Sequence, residues 1–356
     1  MIKDWRIMEK GRKFVATAVF NAIFVAISVL GFVSCEPKDE KNVPKSFVCS
    51  ETNLTIELSE DKSYYIVTDC PVDKTEVVIP ENYYGKPVKE IAATAFDGCE
   101  NLTKVSIPDC MIDIKLETLV ACKNLEYTEK GGVKYLGNES NPYVYLAKYF
   151  SEEMETVVVE SGCKAIGHSA FSDCDKLTSV SLPDGLTSIG GAAFRYCKFT
   201  NIKLPALLKN IGVSAFSYCQ NLNNITIPEY VTEINERTFE GCYQLGNVRF
   251  RNNLTKIGAF AFSETALTRI TIPYGVKTIG GYAFAGCGDL TSVTIPTSVT
   301  DIGPNTFFYC SSLRRIQFDG TKEQWGKVRK GLMWDFSVSA EVVSCMDGTV
   351  NLSTNY

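Results

Sequence analysis

Phenylalanine recurs along the chain at a nearly constant spacing, and this spacing limits the fold more than any other feature. Seven Phe residues follow one another in steps of 23, 22, 23, 23, 22 and 23 residues: Phe171, Phe194, Phe216, Phe239, Phe262, Phe284 and Phe307. Each lies in the same repeated motif, roughly I-G-x-x-A-F-x-x-C-x-x-L-T-x-V-x-I-P-x-x-V-T-x. A fixed period in the twenties predicts a solenoid, in which each turn buries its apolar residues against its neighbours.

The period is interrupted once, before Phe171. Phe96 lies in the same motif, and Leu119 takes the Phe place 23 residues later. The next gap, from Leu119 to Phe171, is 52 residues, which is one period plus a 29-residue excess. This excess contains Gly131-Gly132 and Gly137-Asn138 between alternating runs. Such turn signals predict a hairpin insertion at about residues 126–155.

The repeated motif indicates one strand per period. In the turn of Phe284, apolar Val293 and Ile295 alternate with Ser292 and Thr294, as in a strand with one buried face. The next residue is Pro296, which cannot donate to a neighbouring strand and ends it. Upstream, the apolar residues Ile279, Ala283 and Phe284 have near-helical spacing, which predicts a short helical arc. A parallel β-helix is the alternative fold, but it needs several strands per turn.

The combination Phe-x-x-Cys-x-x-Leu, then Val-x-Ile-Pro, resembles the BspA-like leucine-rich repeat family over about residues 60–328. The resemblance implies an α/β solenoid with parallel strands on a concave face, short helical arcs on the other face, and terminal caps. We expect this solenoid over residues 46–328 and a C-terminal cap over residues 329–356.

The N-terminus predicts export. Residues 1–34 combine a basic head with an uncharged run from Phe14 to Ser34, as in a secretory signal; a retained membrane anchor is the alternative. The sequence ending in Cys35 resembles a bacterial lipobox, which implies acyl chains on that cysteine. Residues 35–45 form a polar tether. Within it, Lys38, Asp39 and Glu40 resemble the export signal of surface lipoproteins in Bacteroidetes-type bacteria. These resemblances imply a lipid-anchored protein of the outer membrane, exposed at the cell surface.

Charge and composition exclude several functions. The chain has one His and a net charge of −5. Residues 1–34 contribute +3, so the remainder carries −8, which argues against nucleic-acid binding. The sequence contains no G-x-S-x-G, H-E-x-x-H or Walker motif. We therefore predict a non-enzymatic protein without a cofactor or metal.

Most of the 14 cysteines share one place in the repeat. Eight follow the Phe place by three residues: Cys99, Cys122, Cys174, Cys197, Cys219, Cys242, Cys287 and Cys310. Thr265 takes this place in the turn of Phe262, so a small side chain suffices. We expect a column of buried free thiols, although disulfides between neighbouring turns remain open. A disulfide between Cys49 and Cys70 is a further prediction.

The outward places of the strand are candidates for ligand binding. Two such places flank the central Val or Ile in each regular turn, and in eight turns they hold five cations and no acid. The candidate residues are Lys104, Lys203, Asn224, Asn247, Arg249, Arg269 and Arg315. Glu76 and Glu129 fall at equivalent places in irregular turns. This face is either a mildly basic binding strip or an ordinary exposed sheet.

The insertion is the second candidate. Its aromatic residues Tyr135, Tyr143 and Tyr145 either meet a ligand or pack the hairpin onto the solenoid. The family resemblance implies adhesion to extracellular proteins of a host matrix or of other bacteria. The alternatives are a glycan-capture accessory lipoprotein of a surface uptake system, acting through these tyrosines, and a purely structural envelope protein.

Overall fold

The computed structural model describes residues 45–352 except 51, 115–118, 120–121, 150–153 and 252. Its elements are mostly short strands. In chain order they are β1 (Ser46–Val48), β2 (Thr55–Leu58), β3 (Tyr65–Asp69), β4 (Glu76–Val78), β5 (Asn82–Tyr83), β6 (Lys86–Ile91), β7 (Lys104–Ser106), β8 (Asp113–Ile114), β9 (Thr128–Lys130), β10 (Val133–Leu136), β11 (Tyr145–Tyr149), β12 (Thr156–Val158), β13 (Ala165–Ile166), β14 (Ser179–Ser181), β15 (Ser188–Ile189), β16 (Asn210–Ile211), β17 (Asn224–Ile227), β18 (Glu233–Ile234), β19 (Asn247–Phe250), β20 (Lys256–Ile257), β21 (Arg269–Thr271), β22 (Thr278–Ile279), β23 (Ser292–Ile295), β24 (Asp301–Ile302), β25 (Arg315–Phe318), α1 (Lys322–Lys327), β26 (Arg329–Lys330), β27 (Val342–Cys345) and β28 (Gly348–Asn351).

The stacked turns carry two parallel ladders. The first ladder contains the predicted Val-x-Ile strand and pairs, for example, β21 with β23 and β23 with β25. The second contains the two residues before the repeat glycine and runs through β18, β20, β22, β24 and β26. The expectation of one strand per period is therefore wrong, because most turns contribute a second, two-residue strand. The fold is a β-solenoid.

The predicted helical arcs, and with them the α/β class, are not found. In the turn of Phe216, Ser214 has a φ of 57° and Tyr218 a φ of 59°. Left-handed residues at both ends of the arc prevent helical continuation. The arc instead bonds to the next turn: the Phe216 amide donates to the Thr238 carbonyl at 2.9 Å. Within the described ranges, α1 is the one α-helix.

The Phe residues of the repeat form the centre of the core. Phe171 to Phe307 are all fully buried. Their rings stack in sequence, with centroids 5.1–5.6 Å apart. The repeat glycine permits this close stacking of turns, because a Cβ on Gly280 would lie 2.4 Å from the Ala259 amide nitrogen.

The insertion joins two apolar clusters rather than lying outside the stack. Its strands β9, β10 and β11 pair in antiparallel fashion, and β11 then pairs with β13 in parallel as part of the second ladder. Tyr135 packs with the cluster that extends toward the C-terminus, while Val144 and Tyr145 pack with the N-terminal cluster.

Antiparallel strands lie at both ends of the described stack. At the N-terminal end, β1 pairs with β2 and β2 with β3. Both ladders continue past residue 328, because β24 pairs with β26 and β25 with β27. The final hairpin, β27–β28, is antiparallel. The region predicted as a cap thus contains a further turn of the stack, and Trp334 covers the end of the Phe column at 6.1 Å from Phe307.

Candidate functional site on the strand face

The register of the first ladder places the predicted outward residues in rows. Asn224 is the partner of Asn247, and Thr226 is the partner of Arg249. Farther along, Arg269, Ser292 and Arg315 form one row. All seven predicted residues are exposed. We call the exposed side of this ladder the strand face.

The cations of the strand face have few local counter-charges. No ion pair within the described residues involves Lys203, Arg249, Arg269 or Arg315. At the N-terminal end, Lys104 is the strand partner of Glu76. Ser292 separates Arg269 from Arg315, so these two cations are about 10 Å apart along the stack. The row can therefore offer guanidinium groups to an external acceptor.

Exposed apolar side chains border the strand face at the corner that follows it, at positions that were not predicted from the sequence. They are Leu207, Tyr230 and Tyr274, with 49%, 54% and 76% of their surface exposed. Each lies one or two residues after the proline that ends the strand. Comparing these corner positions between turns would have revealed them. Tyr and Arg are the residue types enriched at the energetic centres of protein interfaces.

The insertion tyrosines are placed differently from the strand-face residues. Tyr135 and Tyr145 are 0% and 2% exposed. The Tyr145 hydroxyl donates to the Ile114 carbonyl at 2.9 Å, and burial raises the pKa of Tyr135 to about 12. Tyr143 packs edge-on against Tyr135, with the Lys130 ammonium 5.3 Å from its ring centre. The rings of Tyr135 and Tyr145 therefore belong to the core and present no surface to a ligand.

The repeat cysteines point inward. The Cys219 thiol donates to the Phe194 carbonyl at 3.0 Å, and Cys242 repeats this contact with Phe216 at 3.2 Å. None of the 13 cysteines in the described part of the chain forms a disulfide, so the predicted disulfide between Cys49 and Cys70 is wrong in this structure. Burial raises the pKa of Cys219 well above that of a free thiol, which leaves the thiol protonated and unreactive.

Three predicted features fall outside the described residues: the signal segment, the lipidation site Cys35 and the export residues Lys38, Asp39 and Glu40. In the part of the chain that is described, no helix has the length and hydrophobicity needed to cross a membrane. Over the same residues, no group of His, Cys, Asp or Glu side chains is arranged to hold a metal ion.

Comparison with known families identifies the repeat. The model of the BspA type leucine rich repeat region matches six copies, over residues 69–140, 145–265 and 232–327. The chain belongs to the BspA-type leucine-rich repeat family. No curated protein matches it.

Solved structures of bacterial leucine-rich repeat proteins align with most of this BspA-type chain. A leucine rich cell surface protein from Faecalibacterium prausnitzii is 22% identical, covers 81% of this chain and 98% of its own, and has a TM-score of 0.31. A Bacteroides ovatus repeat protein is 21% identical over 86% of this chain and 84% of its own, with a TM-score of 0.36. A Eubacterium ventriosum repeat protein is 16% identical over 87% and 97%, with a TM-score of 0.43. Because these scores are low, the family assignment rests on the repeat model.

Proposed function

We propose that this protein is a non-enzymatic adhesion protein that binds other extracellular proteins through the strand face. The observation that carries the proposal is the row with the exposed Arg269 and Arg315, which form no ion pair with any described residue, on a face bordered by the exposed Tyr230 and Tyr274. Apolar contact at the corner supplies affinity, while the guanidinium groups supply orientation and hydrogen bonds to carboxylates. The rigid stack keeps both sets in register across many turns.

The test is binding of the full chain to a panel of immobilised matrix proteins, including collagen, laminin and fibronectin. The variant replaces four strand-face cations by Ser: Lys203, Arg249, Arg269 and Arg315. We expect at least one panel protein to bind with an affinity that falls with salt, and the variant to lose about tenfold or more in affinity.

A matched control changes the net charge by the same amount away from the strand face. It replaces the exposed Lys123, Lys176, Lys209 and Lys277 by Ser. We expect it to bind within about twofold of the original protein, because only screened long-range charge is altered. Equal binding by the strand-face variant, or no binding to any panel protein, would overturn the proposal.

Surface display through Cys35 is a second part of the proposal, supported by the lipobox-like sequence and by the residues Lys38, Asp39 and Glu40 that follow it. Protease treatment of intact cells should remove the protein. Replacing Lys38, Asp39 and Glu40 by Ala should protect it until the outer membrane is broken. If the original protein is already protected in intact cells, it faces the periplasm and the adhesion proposal fails.

A further inference from the structure

The arcs opposite the strand face carry aromatic residues at positions that the fold does not require to be aromatic. The residue two places after each Phe of the column has a left-handed backbone. In successive turns these residues are Asp173, Tyr196, Tyr218, Gly241, Glu264, Gly286 and Tyr309, with φ between 56° and 72°. Glycine adopts this conformation freely, whereas a side chain such as Tyr costs about 1 kcal/mol there. The chain has Gly at two of these seven positions, so the backbone conformation does not explain why positions 196 and 218 are Tyr.

Tyr196 and Tyr218 form a stacked aromatic pair across neighbouring turns, and we call its exposed part the aromatic surface. Their rings stack with centroids 5.1 Å apart and an interplanar angle of 15°. The Arg195 guanidinium lies 4.8 Å from the Tyr196 ring centre and 5.9 Å from that of Tyr218. The Tyr218 ring extends over the next turn, where a Cβ on Gly241 would lie 2.4 Å from its Cδ1 atom. Both tyrosines are half-buried.

Polar groups of both signs surround this surface. Glu240 accepts a hydrogen bond from Arg237 at 2.6 Å. Tyr243, with 49% of its surface exposed, lies beside Glu264, and partial burial and this carboxylate raise the pKa of its hydroxyl. Arg195 forms no ion pair with any described residue. We call Arg195, Tyr196, Tyr218, Glu240, Tyr243 and Glu264 the arc cluster.

A second aromatic row continues along the arcs beside the cluster. The Arg237 guanidinium lies 4.2 Å from the ring centre of Phe260. Phe260 stacks on Tyr282 with centroids 4.8 Å apart and an interplanar angle of 2°. The Tyr282 hydroxyl in turn accepts a hydrogen bond from the Asn305 amide at 2.9 Å. The aromatic and polar surface therefore extends beyond the four turns of the cluster.

The chemistry of the cluster matches a sugar better than other ligands. The cluster and its ion-paired neighbours contain two arginines, at 195 and 237, and three glutamates, at 236, 240 and 264. This excess of one negative charge disfavours an anionic ligand. A nucleic acid would require an excess of cations, and glutamate is a residue type depleted at protein interfaces. Tyrosine rings offer apolar surface with a polar edge, while carboxylates and guanidinium groups bind hydroxyls through charge-assisted hydrogen bonds.

The geometry points to the arc cluster as a binding platform for a neutral, pyranose-containing oligosaccharide. The C–H groups of a sugar ring would lie against the exposed parts of Tyr196 and Tyr218, and its hydroxyls would bind Arg195 and Glu264. The platform crosses four turns, or about 14 Å of the stack, which leaves room for more than one sugar ring. It is separate from the strand face and does not depend on the proposed protein binding.

The test is an oligosaccharide array that contains neutral mannan, xylan, galactan and starch fragments together with sulfated and sialylated glycans. We expect the full chain to bind neutral fragments. Replacing both Tyr196 and Tyr218 by Gly should lower the affinity about tenfold or more. Gly relieves the left-handed backbone and so offsets part of the lost ring contact, and the variant should be folded at the assay temperature. A purely structural role for the two rings predicts a lower unfolding midpoint with unchanged affinity.

A single matched control and a second variant complete the design. Tyr309 has the same backbone conformation, with a φ of 56°, and lies in the same column outside the cluster, so Tyr309→Gly should leave affinity unchanged. Glu264→Gln, at an exposed position, should lower affinity about tenfold without affecting folding. Full binding by the double variant, an equal loss in Tyr309→Gly, or binding restricted to sulfated or sialylated glycans would overturn the inference. The strand-face variant should keep its glycan binding, so the two proposals can fail separately.

Discussion

The Phe column allows a direct measurement of how strongly neighbouring turns are coupled. Phe239 and Phe262 are fully buried, with ring centroids 5.4 Å apart and an interplanar angle of 11°. Leu in place of Phe keeps most of the buried apolar area but removes the ring contact. An aromatic pair contributes about 0.5–1.5 kcal/mol beyond the burial of its area. The double-mutant cycle of Phe239→Leu and Phe262→Leu should therefore give a coupling free energy of about that size.

The control cycle uses the same substitution at two Phe residues that do not touch. Phe194 and Phe262 are separated in the column by Phe216 and Phe239, so their effects should add to within about 0.5 kcal/mol. Free energies come from urea unfolding followed by circular dichroism, with linear extrapolation. Equal coupling in the two cycles, or none in the adjacent pair, would show that ring stacking does not link the turns.

Two further predictions concern the packing of turns and the buried thiols. Gly280→Ala should lower the free energy of unfolding by about 1–3 kcal/mol, because its Cβ would lie 2.4 Å from a backbone atom of the preceding turn. Gly288→Ala has no atom within 4 Å and should change it by less than about 0.5 kcal/mol. Burial raises the pKa of Cys163 to about 12, against about 8.5 in an unfolded chain. At alkaline pH the unfolded chain then holds fewer protons on Cys163 than the folded chain. The contribution of Cys163 to the free energy of unfolding should therefore fall as pH rises from about 8.5 towards 12, by up to about 1.4 kcal/mol per pH unit. Urea unfolding at pH 8 and pH 10 in reductant should show a smaller fall for Cys163→Ala.

The sequence predicted the positions that repeat in every turn and whose side chains point inward. The Phe column, the inward cysteine place and the first-ladder strand ended by Pro296 follow from apolar spacing alone, because only the core constrains those positions in each turn. The same alternation indicated which strand residues are exposed, including Arg269 and Arg315. The hairpin turn at Gly131 and Gly132 was also predicted, and both residues have positive φ.

The features that were missed depend on contacts between turns. A two-residue strand such as β22 is too short to show alternation, and its strand character comes from bonding to β20 and β24. The arcs have helix-like apolar spacing, yet left-handed residues such as Ser214 and Tyr218 are not types that signal this conformation. For Tyr135 and Tyr145 the sequence left two alternatives open, ligand contact and packing, and the structure shows packing, because they fill the junction between two apolar clusters.

The arc cluster was missed because its members lie in different turns and no single turn contains a recognisable motif. Aligning the position two residues after each Phe would have placed Tyr196 and Tyr218 side by side. In a solenoid, inward positions are fixed by stacking, whereas outward positions are free to vary from turn to turn. The residues that bind a ligand therefore lie in rows across turns, at positions about 22 or 23 residues apart in the sequence. A chain of this kind can carry one ligand on its strand face and another on its arcs, because each row can change without disturbing the core or the opposite face.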